Sequence, residues 1–456
     1  MSSDEFMFNI FDLCADIYHS NKRNEYVMLS SGANYLSLTN LWKVLCDLEV
    51  NYDFMYNWYT SPQGFPCLTS FLKLYTDFLA TKGELGRITP FQIASTGGGS
   101  QAAAIAFSYI KDRLLKEDVK VLAIGPSYSL YERLCNKNRF KLELCLGENN
   151  FLPNYEKVKN SILSNEYEII LLTIPNNPTG EVFAHEEVVS IVSLVKKLNK
   201  IMIVDIVPQM YITEKDIIDI ESIIYEIDAV NNVILINSFS KTDGVPGFRI
   251  GYLCGSKDLI EFASNYQLNE LMNVPVFPVF PVVFTVLFRM LYISQKKAEF
   301  ISCDVNKLIK IGKQIIDTTC AIPNKKFISL IYERFETSTF MNDYQEYVFQ
   351  QLQKEKTISN NLKNLKKTLE SEIKCISELK NGFNVVIKFN EYSEDELSFI
   401  INLLRDTGVS VLTESCFDLT NSAEFYIRIS LAIDEDRFSY AINQVSEYLK
   451  YRKETK

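Results

Sequence analysis

The residues with the clearest chemical meaning surround Lys241, which follows the apolar run Val233–Ser238. Two hydroxyls, those of Ser238 and Ser240, precede the lysine, and Arg249 follows it. Hydroxyls and a guanidinium can bind one phosphate together, and a lysine amine can form a Schiff base with an aldehyde cofactor. A lysine just beyond a buried strand is more often a plain surface residue. This segment alone therefore leaves a cofactor lysine and a surface lysine both open.

A glycine-rich turn at 95–101 is a second candidate for phosphate binding. The stretch reads Ser-Thr-Gly-Gly-Gly-Ser-Gln and runs directly into an alanine-rich helix pattern. The first N–H groups of a helix lack partners within the helix and lie at the positive end of its dipole, so they bind phosphate well. Such turns also often serve only the bend of the chain, and the stretch alone does not decide between these interpretations.

Two charged residues lie in apolar surroundings. Asp205 ends the run Ile-Met-Ile-Val-Asp, and Arg428 stands between Ile427 and Ile429. Asp205 is either a turn-capping carboxylate or, when ionised, a group that keeps a pyridine nitrogen protonated. Arg428 needs a partner for its buried charge, which either a substrate carboxylate or an internal acid supplies.

Buried strands alternate with helices through the middle of the chain, which predicts an α/β fold with a mostly parallel central sheet covered on both faces. The predicted strands lie at 119–124, 168–174, 201–205 and 233–238, and helix patterns lie at 101–116 and 185–199. Ligands of such sheets bind beyond the carboxyl ends of the strands. Asn177 and Lys241 follow predicted strands and Asp205 ends one, so we expect them to cluster there.

From about residue 361 the pattern predicts a smaller α+β unit. Its predicted elements are a helix at 361–376, a strand at 383–389, a helix at 394–406, a strand at 425–431 and a helix from about 434. The predicted division is an N-terminal arm at 1–50 that contributes to the small domain, a large cofactor-binding domain at 51–300, and a C-terminal small domain at 301–456. A helical, lysine-rich insertion is predicted around 295–360.

Composition excludes several classes of function. With 456 residues and a formal charge of −10, the chain offers no basic surface for a nucleic acid. The ten cysteines are scattered and only two histidines exist, so no metal site is predicted. Scattered cysteines and a start without a signal-peptide pattern predict a cytoplasmic protein. The apolar stretch 274–288 contains three prolines and is shorter than a membrane span, so we expect a buried loop or a subunit contact rather than a membrane partner.

Several motifs occur in an order that resembles the class I/II aminotransferases, the fold-type I enzymes related to aspartate aminotransferase. The motifs are Gly-Gly-Gly-Ser-Gln at 97–101, Pro-Ser-Tyr at 126–128, Asn-Pro-Thr-Gly at 177–180, Asp205, Ser-Phe-Ser-Lys at 238–241, Arg249 and Arg428. The resemblance runs from about residue 25 to 450. It implies the fold-type I fold, pyridoxal 5′-phosphate as cofactor, an amino acid and a 2-oxo acid as substrates, and a homodimer.

The resemblance also implies a role for each matching residue. Lys241 would form the Schiff base with the cofactor and then move the substrate Cα proton, and Asp205 would pair with the pyridine nitrogen. Arg428 would bind the substrate α-carboxylate through bidentate hydrogen bonds from its guanidinium. The residues implied to bind the cofactor phosphate are Gly98, Gly99, Ser100, Gln101, Ser238, Ser240 and Arg249.

Three further matches concern the cofactor ring and the neighbouring subunit, and one expected match is missing. Tyr128 resembles the aromatic residue that stacks on the ring, and Asn177 the amide that bonds its phenolic oxygen. Tyr59 resembles the tyrosine that reaches the phosphate of the other subunit. Pro208 stands where the family places a tyrosine that also bonds the phenolic oxygen, and Tyr211 is a candidate replacement.

A second departure from the family is length. Lys241 and Arg428 are 187 residues apart, which exceeds the family spacing, so the extra residues must fall mainly within 265–360.

The leading interpretation remains an aminotransferase. The alternative is an enzyme of the same fold with another outcome, namely an elimination or cyclisation lyase, a decarboxylase or an amino-acid oxidase, because fold does not fix the reaction. The acidic net charge disfavours a cofactor-binding transcriptional regulator. The presence of the lysine, the aspartate and both arginines disfavours an inactive homologue.

Overall fold

The structure is a computed structural model and describes residues 10, 12, 26–36, 38–51, 60–211, 217–271, 278–320, 325–389, 395–417, 419 and 425–454. Its strands in these ranges are β1 (Val27–Met28), β2 (Gln92–Thr96), β3 (Lys120–Ile124), β4 (Lys141–Cys145), β5 (Ile169–Thr173), β6 (Ile201–Asp205), β7 (Val233–Ser238), β8 (Gly251–Gly255), β9 (Ile373–Ile376), β10 (Asn384–Phe389), β11 (Val409–Ser410), β12 (Leu412–Thr413) and β13 (Tyr426–Ser430).

The α-helices of the same ranges are α1 (Asn40–Asn51), α2 (Pro66–Ala80), α3 (Gly99–Leu114), α4 (Ser129–Asn138), α5 (Tyr155–Leu163), α6 (His185–Lys197), α7 (Ile220–Glu226), α8 (Lys257–Tyr266), α9 (Phe280–Lys296), α10 (Val305–Thr319), α11 (Lys325–Arg334), α12 (Thr337–Thr368), α13 (Glu396–Thr407) and α14 (Glu435–Glu454). The four strands and the two helices predicted in the middle of the chain are confirmed as β3, β5, β6, β7, α3 and α6.

The predicted helix over 361–376 is wrong in its second half. Helix α12 ends at Thr368, and Ile373–Ile376 forms strand β9, which pairs antiparallel with β10. Residues 373–376 read Ile-Lys-Cys-Ile, and such a short segment with a β-branched residue at each end fits a strand as well as a helix by pattern alone. Pairing with β10 therefore decides the conformation.

The chain divides into two compact units, each assembled from separated stretches. The first unit comprises Met1–Leu36, Glu117–Phe183 and Lys354–Lys456, and the second comprises Ser37–Lys116 and Ala184–Gln353. The predicted domains were continuous segments with boundaries after 50 and 300, and those boundaries stay a prediction.

The second unit contains four strands in the order β2-β8-β7-β6. Strands β6 and β7 are parallel, whereas β8 is antiparallel to both β7 and β2. Side chains alternate between the two faces of a strand. On β7, Ile236 and Ser238 lie beside Gly99 at the start of α3, whereas Asn237 faces the other way and bonds the hydroxyl of Tyr211. Helix α2 covers that second face, where the Tyr75 ring meets Tyr211 edge-on.

The first unit contains three parallel strands in the order β5-β3-β4 and a separate antiparallel sheet in the order β12-β13-β10-β9. Strand β13 lies inside the smaller sheet, with Arg428 opposite Val386 of β10 and Leu412 of β12. All five residues of β13 are buried. The small C-terminal α+β part predicted from the sequence is confirmed, and its sheet places the Arg428 charge in a buried strand.

Helix α9 corrects the expectation of a buried loop at 274–288. Residues 274–277 lie outside the described part of the chain, but residues 280–288 belong to α9, in which every side chain from Phe280 to Ser294 is buried. Pro281 lies in the first turn of this helix, where its missing N–H costs no hydrogen bond. The proline therefore starts a helix rather than interrupting one.

The predicted helical region 295–360 is confirmed as the end of α9 followed by α10, α11 and most of α12. Aromatic rings join α12 and the residue Phe335 before it to α9. The Phe284 ring lies 4.8 Å from that of Phe335, and the Phe288 ring lies 5.1 Å from Phe340 and 5.6 Å from Tyr347 (centroid distances). In the described part of the chain, no helix is both long enough and apolar enough to cross a membrane.

The start of α9 is held by a distant buried carboxylate. Glu49 on α1 is fully buried and accepts hydrogen bonds from the N–H groups of Val279, at 2.9 Å, and Phe280, at 2.5 Å. Burial raises the pKa of Glu49 to about 8, although these two N–H groups lower it. Glu49 therefore keeps its proton in the folded chain at pH values at which an unfolded glutamate, with a pKa of about 4.3, has lost it.

We predict that Glu49→Gln makes stability less dependent on pH. Because the folded pKa exceeds the unfolded one, the wild type loses stability as pH rises from the unfolded pKa to the folded pKa, by up to about 1.4 kcal/mol per pH unit. Glutamine does not titrate and removes this slope. Urea unfolding between about pH 5 and 8 measures it, with Asp47→Asn, an exposed acid on the same helix, as the matched control. Parallel stability curves for wild type and Glu49→Gln would contradict the prediction.

Candidate active site

The glycine-rich turn and Arg249 meet in the second unit. Gly98 has φ +85°, and a Cβ placed there would lie 2.8 Å from Arg249 Nη2. The same nitrogen donates to the Gly97 carbonyl at 3.0 Å, and Nη1 donates to the Pro246 carbonyl at 3.0 Å. Glycine is thus required by both the backbone conformation and the close approach of the guanidinium. The turn carries a cation at the N-terminus of α3, as the phosphate-site prediction requires.

Gln101 and Ser100, two predicted phosphate ligands, lie in the first turn of α3. The Gln101 side-chain oxygen accepts the Gly97 N–H, so Gln101 holds the turn closed. Ser100, the second residue of α3, is exposed, and its N–H is among those that the helix leaves without an internal partner. The structure therefore brings Gly98, Ser100 and Arg249 to the same helix end.

The serine pair before Lys241 lies on the face of the sheet that carries this helix end. A Cβ at Gly99 would be 3.8 Å from Ser238 Cβ. Ser238 Oγ donates to the Ile250 carbonyl at 2.8 Å and lies 2.8 Å from Ser240 Oγ. Because the Ser238 hydroxyl donates its proton to the Ile250 carbonyl, Ser238 Oγ accepts the hydrogen bond from the Ser240 hydroxyl.

Asp205 lies on the same face, because its register partner on β7 is Ile236, two residues before Ser238. Its carboxylate accepts the Val207 N–H at 2.9 Å, which fixes the side chain at the end of β6. Lys241 is half-buried and follows β7 in a tight turn. Within the second unit, the structure thus places the predicted lysine, aspartate and phosphate ligands beyond the ends of neighbouring strands.

Tyr211 does not take the place of the tyrosine that Pro208 replaces. Its ring is only 2% exposed, and its hydroxyl lies 2.7 Å from Asn237 Nδ2. Asn237 faces away from Ser238 along β7, so Tyr211 lies on the opposite side of the sheet from Asp205. Burial raises the pKa of Tyr211 above its ordinary value, as expected for a hydroxyl in the core rather than at a ligand site.

In the first unit, Arg428 and Asn177 are in direct contact. Arg428 Nη1 donates to Asn177 Oδ1 at 3.1 Å, and Nη2 donates to the Ser30 carbonyl. The guanidinium lies over the Phe417 ring at 5.3 Å. A Cβ at Gly32, where φ is +54°, would lie 3.0 Å from Arg428 Nη1, so only glycine leaves the guanidinium this much room.

The Arg428 charge has no internal carboxylate partner among the described residues. The side chain is 3% exposed, and its Nε has no hydrogen-bond partner there. Burial lowers the pKa of Arg428 to about 10, whereas the Tyr128 phenol raises it. The interpretation that an internal acid pairs with Arg428 is therefore wrong for the described chain, and an external anion can supply the missing charge.

Tyr59 lies outside the described residues. The segment that follows it is held against the end of β2, where the Ser95 N–H donates to the Gln63 carbonyl at 2.8 Å. This contact fixes the chain next to the glycine-rich turn that begins two residues later at Gly97.

The sequence interpretation missed the buried ion pair of Arg289 and Asp243, and also Asn237, which bonds the Tyr211 hydroxyl. Arg289 Nη2 donates to Asp243 Oδ2 at 2.7 Å, and both side chains are almost fully buried. The sequence did contain a signal for this ion pair, because Arg289 is the sole charged residue between 279 and 295. A lone charge in an apolar run predicts a buried ionic partner.

Comparison with known proteins agrees with this geometry. The family "Aminotransferase class I and II" matches residues 24–275, more than half of the chain. A histidinol-phosphate aminotransferase of Flavobacterium johnsoniae is 31% identical over 155 residues, which are 33% of this chain and 42% of that protein. An aspartate aminotransferase of Thermotoga maritima is 25% identical over 232 residues, 50% of this chain and 59% of the relative. The chain thus spans about half the length of the curated relatives it matches.

Solved structures extend the likeness in fold over nearly the whole chain. An aminotransferase from Mycobacterium tuberculosis matches with a TM-score of 0.69 at 17% identity, covering 98% of this chain and 96% of that one. The aspartate aminotransferase of Thermotoga maritima matches with a TM-score of 0.67 at 19% identity, covering 99% and 97%. The predicted fold class, fold type I with a mostly parallel sheet and a smaller C-terminal part, is confirmed. The chain belongs to the class I and II aminotransferase family.

Proposed function

We propose that the chain is a pyridoxal-phosphate-dependent aminotransferase that moves an amino group from an amino acid to a 2-oxo acid. The observation that carries the proposal is the meeting of Arg249, the glycine-rich turn and the start of α3 on the sheet face that bears Asp205 and Ser238. Such a site is suited to a ligand that carries both a phosphate and a protonated ring nitrogen. The helix terminus and Arg249 would bind the phosphate, and Asp205 would pair with the nitrogen.

The residues present fit pyridoxal phosphate. Arg249 and the free N–H groups of α3 can offset the phosphate charge, and the absent side chain at Gly98 leaves the cradle open. Asp205 would hold the pyridine nitrogen in its protonated form. When bound, the cofactor supplies an aldehyde for an amine and a ring that withdraws electrons from the substrate Cα.

The other predicted residues act on the substrate and the cofactor ring in this proposal. Lys241 would first hold the cofactor and then, once the substrate has displaced it, carry the Cα proton as a base. Arg428, with no internal carboxylate partner in the described chain, would bind the substrate α-carboxylate. Asn177 would bond the cofactor phenolic oxygen, and Tyr128 would stack on the ring.

The proposal includes a homodimer, in which Tyr59 reaches the phosphate of the other subunit, and a cytoplasmic location. Family membership supports an amino acid and an oxo acid as substrates. The nine cysteines in the described ranges are free, which supports a reducing compartment.

A second candidate is an enzyme of the same fold that eliminates, cyclises, decarboxylates or oxidises its amino-acid substrate. Pro208 cannot donate to the cofactor phenolic oxygen, and Tyr211 faces the other side of the sheet. With one donor fewer, the phenolic oxygen is less stabilised as an anion, which changes the protonation of the bound cofactor. The reaction outcome is sensitive to that protonation.

We expect a stoichiometric half-reaction. Purified protein loaded with pyridoxal phosphate is mixed with single amino acids, while cofactor absorbance, oxo acid, ammonia, carbon dioxide and peroxide are measured. One equivalent of oxo acid per site, with the original absorbance restored by a second oxo acid, is the expected result. Continuous product formation without any acceptor would contradict it and favour the second candidate, and the released product identifies the branch.

We predict that Arg428→Lys raises KM for the amino acid by at least about tenfold, because lysine keeps the positive charge but cannot form the bidentate hydrogen bonds of arginine to a carboxylate. Steady-state kinetics with the preferred amino acid measure this change. Arg437→Lys is the matched control, since Arg437 is exposed in the same unit and donates to the Tyr26 carbonyl. An unchanged KM in Arg428→Lys would remove Arg428 from substrate binding.

A further inference from the structure

Arg289 is a buried cation outside the proposed binding residues. Its side chain is 2% exposed on α9, and its ionic partner is Asp243, 2.7 Å away and also buried. The Tyr347 hydroxyl lies 3.5 Å from the second Asp243 oxygen. Burial alone lowers the pKa of Arg289, but the Asp243 carboxylate reverses this, and the net shift is upward. The guanidinium therefore stays charged and paired.

This ion pair acts on the turn that carries Lys241. The turn begins at Phe239 and ends at Asp243, with the Asp243 N–H donating to the Phe239 carbonyl at 3.3 Å. Arg289 contacts both ends, since it bonds the Asp243 carboxylate and lies 5.3 Å from the Phe239 ring centroid. Lys241 is the middle residue of the five. The Arg289 side chain thus holds both ends of the turn, Phe239 and Asp243, on either side of Lys241.

Two further contacts restrain the same turn. The Ser240 N–H donates to Ser238 Oγ at 3.1 Å, and Thr242 Oγ1 donates to the Gln209 carbonyl at 2.8 Å. The Arg289 guanidinium is itself held over the Tyr211 ring at 4.5 Å. Tyr211, which does not reach the ligand side of the sheet, therefore still contributes by holding Arg289 in place.

Stability alone is a poor explanation for this pair. Removing two charges from water costs much of the energy that their attraction returns, and apolar pairs of similar volume are often as stable. A planar guanidinium bonded to a carboxylate does, however, fix direction better than apolar contacts do. A buried pair that contacts both ends of a functional turn is better explained by geometry.

We propose that Arg289, acting through Asp243, is a positioning residue that sets the location of the Lys241 amine. The inference rests on the proposed function, because it takes Lys241 as the lysine that binds the cofactor. Arg289 touches neither cofactor nor substrate in this proposal, and its effect passes through the turn 239–243.

The test uses three variants of the full chain. Arg289→Lys keeps the charge but loses the planar fork. The double variant Asp243→Asn with Arg289→Met removes both charges, so that no unpaired charge is buried. Phe284→Leu is the control on the same helix, because its ring packs on Phe335 and Phe340 rather than on the turn.

Three readouts are compared at matched thermal stability. They are the hydrogen exchange of peptide 239–244 in the cofactor-free protein, the rate at which added pyridoxal phosphate becomes bound to Lys241, and the kcat and KM of steady-state turnover with an amino acid and a 2-oxo acid. We expect peptide 239–244 to exchange about tenfold faster in the double variant, since a charged hydrogen bond is lost. We also expect about ten- to hundredfold slower attachment and a similar fall in kcat at unchanged KM, because misplacement by an ångström costs this much. Arg289→Lys should be the milder of the two.

The outcomes separate this inference from the proposed function. If the cofactor attaches to a different lysine in the wild type, the proposed function loses its lysine and the inference falls with it. If it attaches to Lys241, but exchange, attachment and kcat in the double variant match those of Phe284→Leu, the inference alone is overturned. A local change in peptide 239–244 together with slow attachment, absent from the control, supports it.

Discussion

The parallel register of β6 and β7 pairs Asp205 with Ile236, and this pairing sorts the side chains of the second unit between two faces. Ser238 shares the face of Asp205, whereas Asn237 between them points the opposite way. The first face meets the start of α3 and the glycine-rich turn, and the second face meets a core of tyrosines under α2 and α9. A shift of one residue in this register would exchange the two sets, so every role proposed for this unit depends on it.

Two buried arginines show how the same side chain can serve opposite purposes. Arg289 is paired with Asp243, and the net shift of its pKa is upward because the carboxylate outweighs burial. Arg428 has no carboxylate partner among the described residues, and burial lowers its pKa to about 10. A cation whose charge is already neutralised is suited to fixing backbone position, whereas one left without an anion is suited to binding a carboxylate from outside.

Much of the second unit could be predicted from the sequence because its strands are short, apolar and followed by polar motifs. Strands β2 and β8 were harder to predict. Residues 92–96 and 251–255 lie next to the glycines of the motifs and carry no distinct apolar run, so β2 and the antiparallel β8 were not identified. The proline-rich start of α9 was predicted as a loop, because the sequence alone does not show whether a proline lies in the first turn of a helix or interrupts it.

The residues of the candidate site could be recognised from the sequence, whereas their long-range contacts could not. Lys241, Asp205 and Arg249 have motif spacing that can be seen in one sequence. The direction of Tyr211, by contrast, depends on which face of β7 it reaches, and the pairing of Arg289 with Asp243 depends on how α9 packs under the sheet. Both are long-range outcomes that local pattern does not encode.

The identity of the lysine that binds the cofactor is the central claim, and covalent trapping tests it most directly. The full chain is incubated with one equivalent of pyridoxal phosphate, reduced with borohydride and digested, and the modified peptides are identified by mass spectrometry. The account predicts one dominant modification at Lys241 and loss of that modification, without transfer to another lysine, in Lys241→Ala. Dominant modification of a different lysine, or equal labelling of wild type and Lys241→Ala, would contradict it.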